Sequence, residues 1–291
     1  MNGNKYGVDT ALPHAVFLDI DGTLLSGGVL PEENVTAIRE AQAKGHKILL
    51  NTGRAYSFIP WDRFSDIRFD GICAGCGSHV IIDGEVCRSV AVDTEFVKSA
   101  VAFYLERDKS VFFEGETACF WVNPQKRESA NRMLGAGRYK CYEVTDPAQF
   151  DTEFANERIS KFTYWEPGMT REEHDFWARE LRVIEHPTYA ESVIYGCDKA
   201  VAMRVALERL GIPRERSIAM GDSANDTEML EYAAHSVAMG NATEETKAIC
   251  SYISVDAADG GVAHALRELL GQRCGVRGRG VLRCLHRQYD G

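Results

Sequence analysis

Four apolar residues at 15–18, AVFL, run straight into Asp19-Ile20-Asp21-Gly22-Thr23. An apolar run without alternation fits a parallel strand covered on both faces. Asp-Gly-Thr then ends it as a turn. A chain that starts its core this way is drawn toward an α/β layering, and the residues that follow repeat the pattern. Pro31, Glu32 and Glu33 open a helix candidate that reaches Ala43, with the proline and acids placed where a first helical turn favours them. Val35, Ile38 and Ala41 fall near helical spacing, and Gly45 is a stop. A second short strand at 47–50 ends in Asn51-Thr52-Gly53-Arg54, and a third apolar piece at 71–74 leads to a hairpin turn at Asp83-Gly84.

Beyond Arg88 the texture changes. Helical stretches at 94–107, 124–134 and 171–182 alternate with aromatic-rich strands at 111–113, 118–122 and 159–165. That mixture lacks the parallel-sheet signature and predicts a separate α+β unit. Its aromatics, among them Phe112, Phe113, Phe120, Trp121, Phe162, Tyr164, Trp165 and Tyr189, supply the area to fill a core, the alternative being that one or two line a ligand pocket. The α/β texture returns at 192–195. A helix from Asp198 to Leu210 follows, then a strand at 217–220 that ends in Gly221-Asp222, and further strand–helix alternation to Leu270. The predicted fold is therefore a doubly wound parallel sheet, residues 1–85 and 190–270, with an α+β unit inserted at 86–189. The Arg-rich stretch 271–291 has no clear period and reads as an appended tail.

Composition narrows the partners. A net charge of −10 leaves no bulk positive field for non-specific nucleic-acid binding. No apolar run approaches the roughly 20 residues a spanning helix needs, and the first residues do not read as a signal peptide. The expectation is a cytoplasmic protein whose partner is a small molecule rather than nucleic acid or membrane. Nine cysteines are scattered through the chain. Cys73 and Cys76 form a lone C-x-x-C, without the second pair that a zinc ribbon requires, and are expected to pack as small apolar residues.

In an open α/β sheet, ligands sit outside the carboxyl ends of the strands. Asp19, Asp21, Thr52, Gly53, Arg54, Asp222, Asn225 and Asp226 all fall at such ends, and Lys199 starts the helix before the strand at 217–220. Clustered carboxylates repel unless a cation neutralises them. Oxygen-only donors suit a hard cation such as Mg²⁺, which is typically shared with substrate phosphate. A lysine and a threonine hydroxyl add phosphate donors. One carboxylate can then attack phosphorus, and a second can shuttle the proton of the leaving alcohol and of water.

The ordered set DIDGT, NTGR, GCDKA and GDSAND resembles the haloacid dehalogenase superfamily of phosphatases, in its Cof-like branch with a large inserted cap. The resemblance covers about residues 13–85 and 190–270. It implies that Asp19 is nucleophile and metal ligand, and that Asp21 is the general acid/base with its backbone carbonyl on the metal. By the same resemblance Thr52, beside Gly53, binds phosphate, Lys199 bridges nucleophile and phosphate, and Asp222 is a metal-ligating acid. Asn225 contacts phosphate or substrate. Asp226 orients a metal-bound water or Lys199, and Arg54 contacts substrate or forms a structural pair. Members of the branch commonly carry Asn-Gly where this chain has Ala74-Gly75-Cys76-Gly77, a departure that bears on substrate preference. The implied activity is Mg²⁺-dependent hydrolysis of a small phosphate monoester through an aspartyl-phosphate. A sugar phosphate is expected first, with pyridoxal phosphate or a nucleotide-like phosphate as alternates. A phosphotransferase or mutase on the same scaffold, and a non-catalytic binder of a phosphorylated metabolite, are the competing expectations.

Overall fold

The computed structural model describes residues 4–126, 139–164, 169–185 and 189–271. The first strand, β1 (Ala15–Leu18), sits in the middle of an eight-stranded sheet. Its neighbours on one side are β2 (Lys47–Asn51), β3 (Gly71–Ala74), β4 (His79–Ile82) and β5 (Glu85–Ser89). On the other side lie β12 (Ser217–Gly221), β13 (His235–Ala238) and β14 (Tyr252–Ile253). All pairings from β14 to β3 are parallel, while β3–β4 and β4–β5 are antiparallel. The Asp83-Gly84 turn predicted from sequence joins β4 to β5, with positive φ at both residues (50° and 83°).

The apolar run in β1 has a direct physical reason. Val16 and Leu18 pack on one face against the helices α1 (Glu32–Ala43) and α7 (Gly261–Leu270). Ala15 and Phe17 pack on the other face against α4 (Lys199–Leu210) and α5 (Thr227–Tyr232). Alternate side chains of one strand thus enter two hydrophobic cores, so no position is left for a polar residue. A further short helix, α6 (Glu244–Ile249), lies between β13 and β14 in the chain.

A second, six-stranded sheet contains β6 (Val111–Gly115), β7 (Cys119–Val122), β8 (Cys141–Val144), β9 (Ile159–Tyr164), β10 (Leu181–Glu185) and β11 (Ala190–Ile194). Its order is β10-β11-β9-β6-β7-β8, antiparallel except for β7–β8. Helices α2 (Thr94–Glu106) and α3 (Arg171–Trp177) belong to this half of the molecule. Phe113, Phe162 and Tyr164 pack with Val97, Tyr104 and Trp177 of these helices. The intervening residues of the same strands, Glu114, Lys161 and Thr163, are buried on the opposite face of the sheet.

Three sequence expectations shift. The strand near 192 was expected to rejoin the parallel sheet, yet β11 pairs antiparallel with β9 and β10. A buried strand looks apolar in either sheet, so composition does not say which one it joins. At the other junction β5 still pairs with β4 in the first sheet, so that sheet extends past residue 85 to Ser89. The helix expected over 171–182 stops at Trp177, and Leu181–Glu185 is an edge strand. The capping box at Thr170 and Glu173 fixes the start of that helix, but no glycine or proline marks its end. Trp165, most of the expected helix at 124–134 and nearly all of the Arg-rich tail lie outside the described residues. Among the described residues no helix is long and apolar enough to cross a membrane.

At the amino ends of the central strands, His14, His46 and His235 form a ring cluster, with centroids 5.7 Å (His14–His46) and 6.5 Å (His14–His235) apart. His46 is buried; its Nδ1 accepts from the His14 backbone N at 3.1 Å, and its Nε2 has no partner. Burial, reinforced by His14, pushes the His46 imidazole down from 6.5 to about 4. Below pH 6.5 the unfolded chain therefore takes up a proton that the fold refuses, and stability is lost as pH falls from 6.5 toward 4. Thermal melts of the wild type and of His46→Gln should differ in pH slope: between pH 7.5 and 5 the variant should lose less Tm, or gain more, than the wild type. An unchanged pH slope in the variant would refute the assignment to His46.

Candidate active site

The carboxyl end of the parallel sheet gathers residues from four stretches of chain. Asp19 and Asp21 follow β1, Thr52 to Arg54 follow β2, Asp222 to Asp226 follow β12, and Lys199 opens α4. The Asp198 side chain caps α4 by accepting from Val201 N at 2.7 Å. The Lys199 carbonyl is held by Asn51 Nδ2 at 2.9 Å. The cap and the amide fix where the Lys199 side chain starts.

Lys199 is 1% exposed, and its Nζ donates to Asp19 Oδ1 at 2.6 Å and to Asp226 Oδ1 at 2.5 Å. Asn225 Oδ1 lies at 3.5 Å from the same nitrogen. Burial works to lower the lysine's pKa, but the Asp19 and Asp226 carboxylates overcome it and hold Lys199 as a cation. Asp226 Oδ2 accepts from the backbone N of Asp222 (2.9 Å) and of Ser223 (3.1 Å). Asp226 is thus fully engaged in holding Lys199 and the 222–226 turn.

Asp222 lies beside Gly22, whose φ is +80° and whose missing side chain is what lets the carboxylate approach. Thr23 Oγ1 donates to Asp222 Oδ1 at 3.0 Å. Burial, then the neighbouring Asp226, raises the Asp222 carboxyl to about 6. Burial likewise raises Asp19, to about 7, against the pull of Lys199.

The acidic groups of Asp19, Asp222 and Asp226 lie within 4.8 Å of one another. Lys199 uses only Oδ1 of Asp19, and Thr23 only Oδ1 of Asp222. The donors are all oxygen, they outnumber the one lysine, and protonation of Asp19 and Asp222 is favoured when no further positive charge is near. That combination fits a hard divalent cation held by Asp19 and Asp222.

The Asp21 side chain points elsewhere. Its two oxygens accept from Arg54 Nε at 2.6 Å and Nη2 at 2.9 Å, and Arg54 Nη1 also donates to the Phe58 carbonyl at 3.2 Å. Of the two roles expected for Arg54, the geometry shows the ion pair. Thr52 is buried; its Oγ1 accepts from Arg54 N at 3.2 Å. The Asn225 amide nitrogen lies on the Gly53 side of the site.

A cavity of about 310 Å³ opens above these groups, lined by Asp19, Asp21, Thr52, Gly53, Arg54 and Asn225 from the first sheet's loops. Its opposite wall is Glu114, Lys161, Thr163, Tyr189 and Glu191 from the second sheet. Sequence reasoning named Tyr189 of that wall but missed Glu114, Lys161, Thr163 and Glu191, and it missed Thr23. A signal was present: Lys161 and Thr163 alternate with Phe162 and Tyr164, a polar set at strand period inside an aromatic run. Cys73 and Cys76 are free, buried thiols, and burial pushes Cys76 up to about 11. They sit in the wall of the fold without thiolate character.

A doubly wound sheet with this acid–lysine cluster at its carboxyl end, facing a second mixed sheet, defines a class of phosphate-ester-processing α/β enzymes. The haloacid dehalogenase-like hydrolase family matches residues 16–266, and the chain belongs to that family. It is similar to the 5-amino-6-(5-phospho-D-ribitylamino)uracil phosphatase YitU of Bacillus subtilis, 40% identical over 272 residues, covering 88% of this chain and 97% of the relative. Phosphatase YwpJ of the same organism is 27% identical over 292 residues, covering 88% and 99%. The HAD subclass IIB sugar phosphatase BT4131 superimposes with a TM-score of 0.72 at 27% identity, covering 87% of this chain and 98% of that one. The chain is thus a phosphatase of the haloacid dehalogenase type, in the Cof-like, subclass IIB branch. That leaves no place for the non-catalytic binder weighed from sequence.

Removing the lysine charge tests the cluster. Lys199→Met strands two buried carboxylates and should destabilise the fold by about 3–5 kcal/mol at pH 8 in urea denaturation. The loss should be smaller at pH 5, where the orphaned acids take up protons. Unchanged stability at pH 8 would contradict the cluster as described.

Proposed function

We propose that this phosphatase hydrolyses the phosphate monoester of a sugar or sugar alcohol with Mg²⁺ as cofactor, through a phosphoryl group carried transiently on Asp19. The observation that supports this most is the Lys199–Asp19 contact of 2.6 Å inside a buried acid cluster. It places a cation beside a strand-end carboxylate whose other oxygen is not used by that lysine.

Mg²⁺ would be held by the Asp19 and Asp222 carboxylates and the Asp21 backbone carbonyl, and when bound it supplies electrostatic stabilisation of the transferring phosphoryl group. The protein's own groups carry the rest. The Thr52 hydroxyl, the Asn225 amide and Lys199 receive the phosphate oxygens. Asp19 Oδ attacks phosphorus, the ester P–O bond breaks, and the leaving oxygen takes a proton from Asp21. Asp21 then accepts a proton from water, the water oxygen attacks phosphorus, and the bond to Asp19 breaks. The sum is one water consumed, with one alcohol and one phosphate released. Arg54 holds Asp21 by two contacts in this structure, and Asp21 gives up one of them when it carries the proton to the leaving oxygen. The second sheet acts as the cap that roofs the reaction.

The cavity volume is at the small end of ligand pockets, which supports a small metabolite. YitU is named for a phosphorylated ribityl compound and BT4131 as a sugar phosphatase. A phosphorylated ribitylamino-uracil and hexose phosphates are therefore the first substrates to assay.

Two outcomes test the reading. Asp19→Asn should lose at least roughly a thousandfold in phosphate release, with an unchanged circular dichroism spectrum; retention of more than about a tenth of the activity would refute the nucleophile. EDTA should abolish release and Mg²⁺ restore it, with Ca²⁺ a poor substitute because it prefers more and longer ligand contacts. Full activity in a verified metal-free sample would refute the cofactor.

A further inference from the structure

The cavity above Asp19 has a phosphate end and a leaving-group end, and their charges differ. At the phosphate end Lys199 stands between Asp19 and Asp226. Among the described residues two other cations line the cavity, and both are already committed. Arg54 is locked on Asp21 by two contacts. Lys161 forms an ion pair with Glu191 and donates to the Gly53 carbonyl at 3.2 Å.

Glu114 is different. It is 2% exposed, lines the same cavity, and its hydrogen bonds come from neutral donors. Thr163 Oγ1 donates to Oε1 at 3.0 Å, and Ala55 N donates to Oε2 at 3.0 Å. An ionised carboxylate offers about four lone-pair positions, so two remain for a ligand. Lys161 is the cross-strand partner of Glu114, yet its ammonium is directed to Glu191. Among the described residues, the second sheet's contribution to the lining is therefore two carboxylates and one lysine, an acceptor-rich surface of net negative charge.

We infer that this surface selects the leaving group: Glu114 accepts hydrogen bonds from a neutral or cationic, hydroxyl- or amine-bearing moiety, and esters carrying a second anionic group are rejected. The inference rests on the phosphomonoester hydrolase reading above and makes Glu114 a specificity-determining residue for it. A second anion placed about 6 Å from Glu114, with no uncommitted cation among the described lining residues to meet it, loses on the order of a hundredfold in binding at an effective dielectric constant near 20. A donor-rich neutral group replaces its water contacts with contacts to Glu114 and Thr163 at little cost.

Matched pairs of esters test this on the unaltered enzyme, with p-nitrophenyl phosphate as the turnover control. The kcat/KM for sorbitol 6-phosphate should exceed that for 6-phosphogluconate by at least about tenfold, and glycerol 3-phosphate should exceed 3-phosphoglycerate likewise. Glucosamine 6-phosphate should match or exceed glucose 6-phosphate. Glu114→Gln keeps a carbonyl for Ala55 N but removes the charge. It should shrink the neutral-to-anionic ratio several-fold, whatever its overall rate. Carboxylate-bearing esters hydrolysed as well as their neutral partners would overturn the inference, and so would an unchanged ratio in folded Glu114→Gln. The wild-type ratios decide without the variant. No release from any ester, p-nitrophenyl phosphate included, would instead overturn the hydrolase reading and this inference with it.

Discussion

A lysine ammonium buried between two carboxylates is the constraint around which the carboxyl end of the sheet is organised. Taking these charges out of water costs several kcal/mol per ion, and only close, multiply bonded geometry repays that. The structure meets the requirement with backbone as well as side chains. The 222–226 turn gives two N–H groups to Asp226, and Asn51 holds the Lys199 carbonyl. Gly221 lacks the side chain that would collide with the Asp226 carboxylate. Losing the lysine removes the counter-charge of both acids at once, so the three groups hold their positions together. The same cluster leaves excess negative charge at Asp19 and Asp222, which fits a divalent cation. Structural need and catalytic need are thus served by one arrangement.

The second sheet is two-sided for an equally simple reason. Strand period places Phe113, Phe162 and Tyr164 on the helix-covered face, and Glu114, Lys161 and Thr163 on the face turned to the first sheet. Polar atoms buried there need partners. Several are found across the gap: Ala55 N donates to Glu114 and Lys161 donates to the Gly53 carbonyl. Both contacts land on the loop that also carries Thr52 and Arg54. The wall proposed to face the leaving group is therefore tied to the loop proposed to hold the phosphate, and the two form one connected surface.

The first sheet and its acids were legible in the sequence because each signal is local. An apolar run that ends in Asp19-Ile20-Asp21-Gly22 fixes strand, turn and carboxylates within a few residues, and parallel-sheet geometry then puts such ends on one edge. Lys199 was readable from its place at a capped helix start. What stayed hidden depends on long-range pairing. Nothing in AESVI says that residues 190–194 pair with β9 rather than with the first sheet. The Arg54–Asp21 contact joins two loops 33 positions apart, and sequence spacing gives no angle between them. Glu114, Thr163 and Glu191 carry no motif; they become a surface only when three strands align. The aromatic run around Lys161 did hold a usable hint, since a lysine between buried aromatics needs a buried partner.

The central claim is that phosphate passes through Asp19 rather than directly to water. Each in-line displacement inverts the configuration at phosphorus, so two in succession restore it. Hydrolysis of a phosphorothioate ester made chiral at phosphorus with two oxygen isotopes, carried out in water of the third isotope, reports the count directly. Net retention of configuration in the released thiophosphate is expected. Net inversion would show a single displacement by water and would contradict the role given to Asp19.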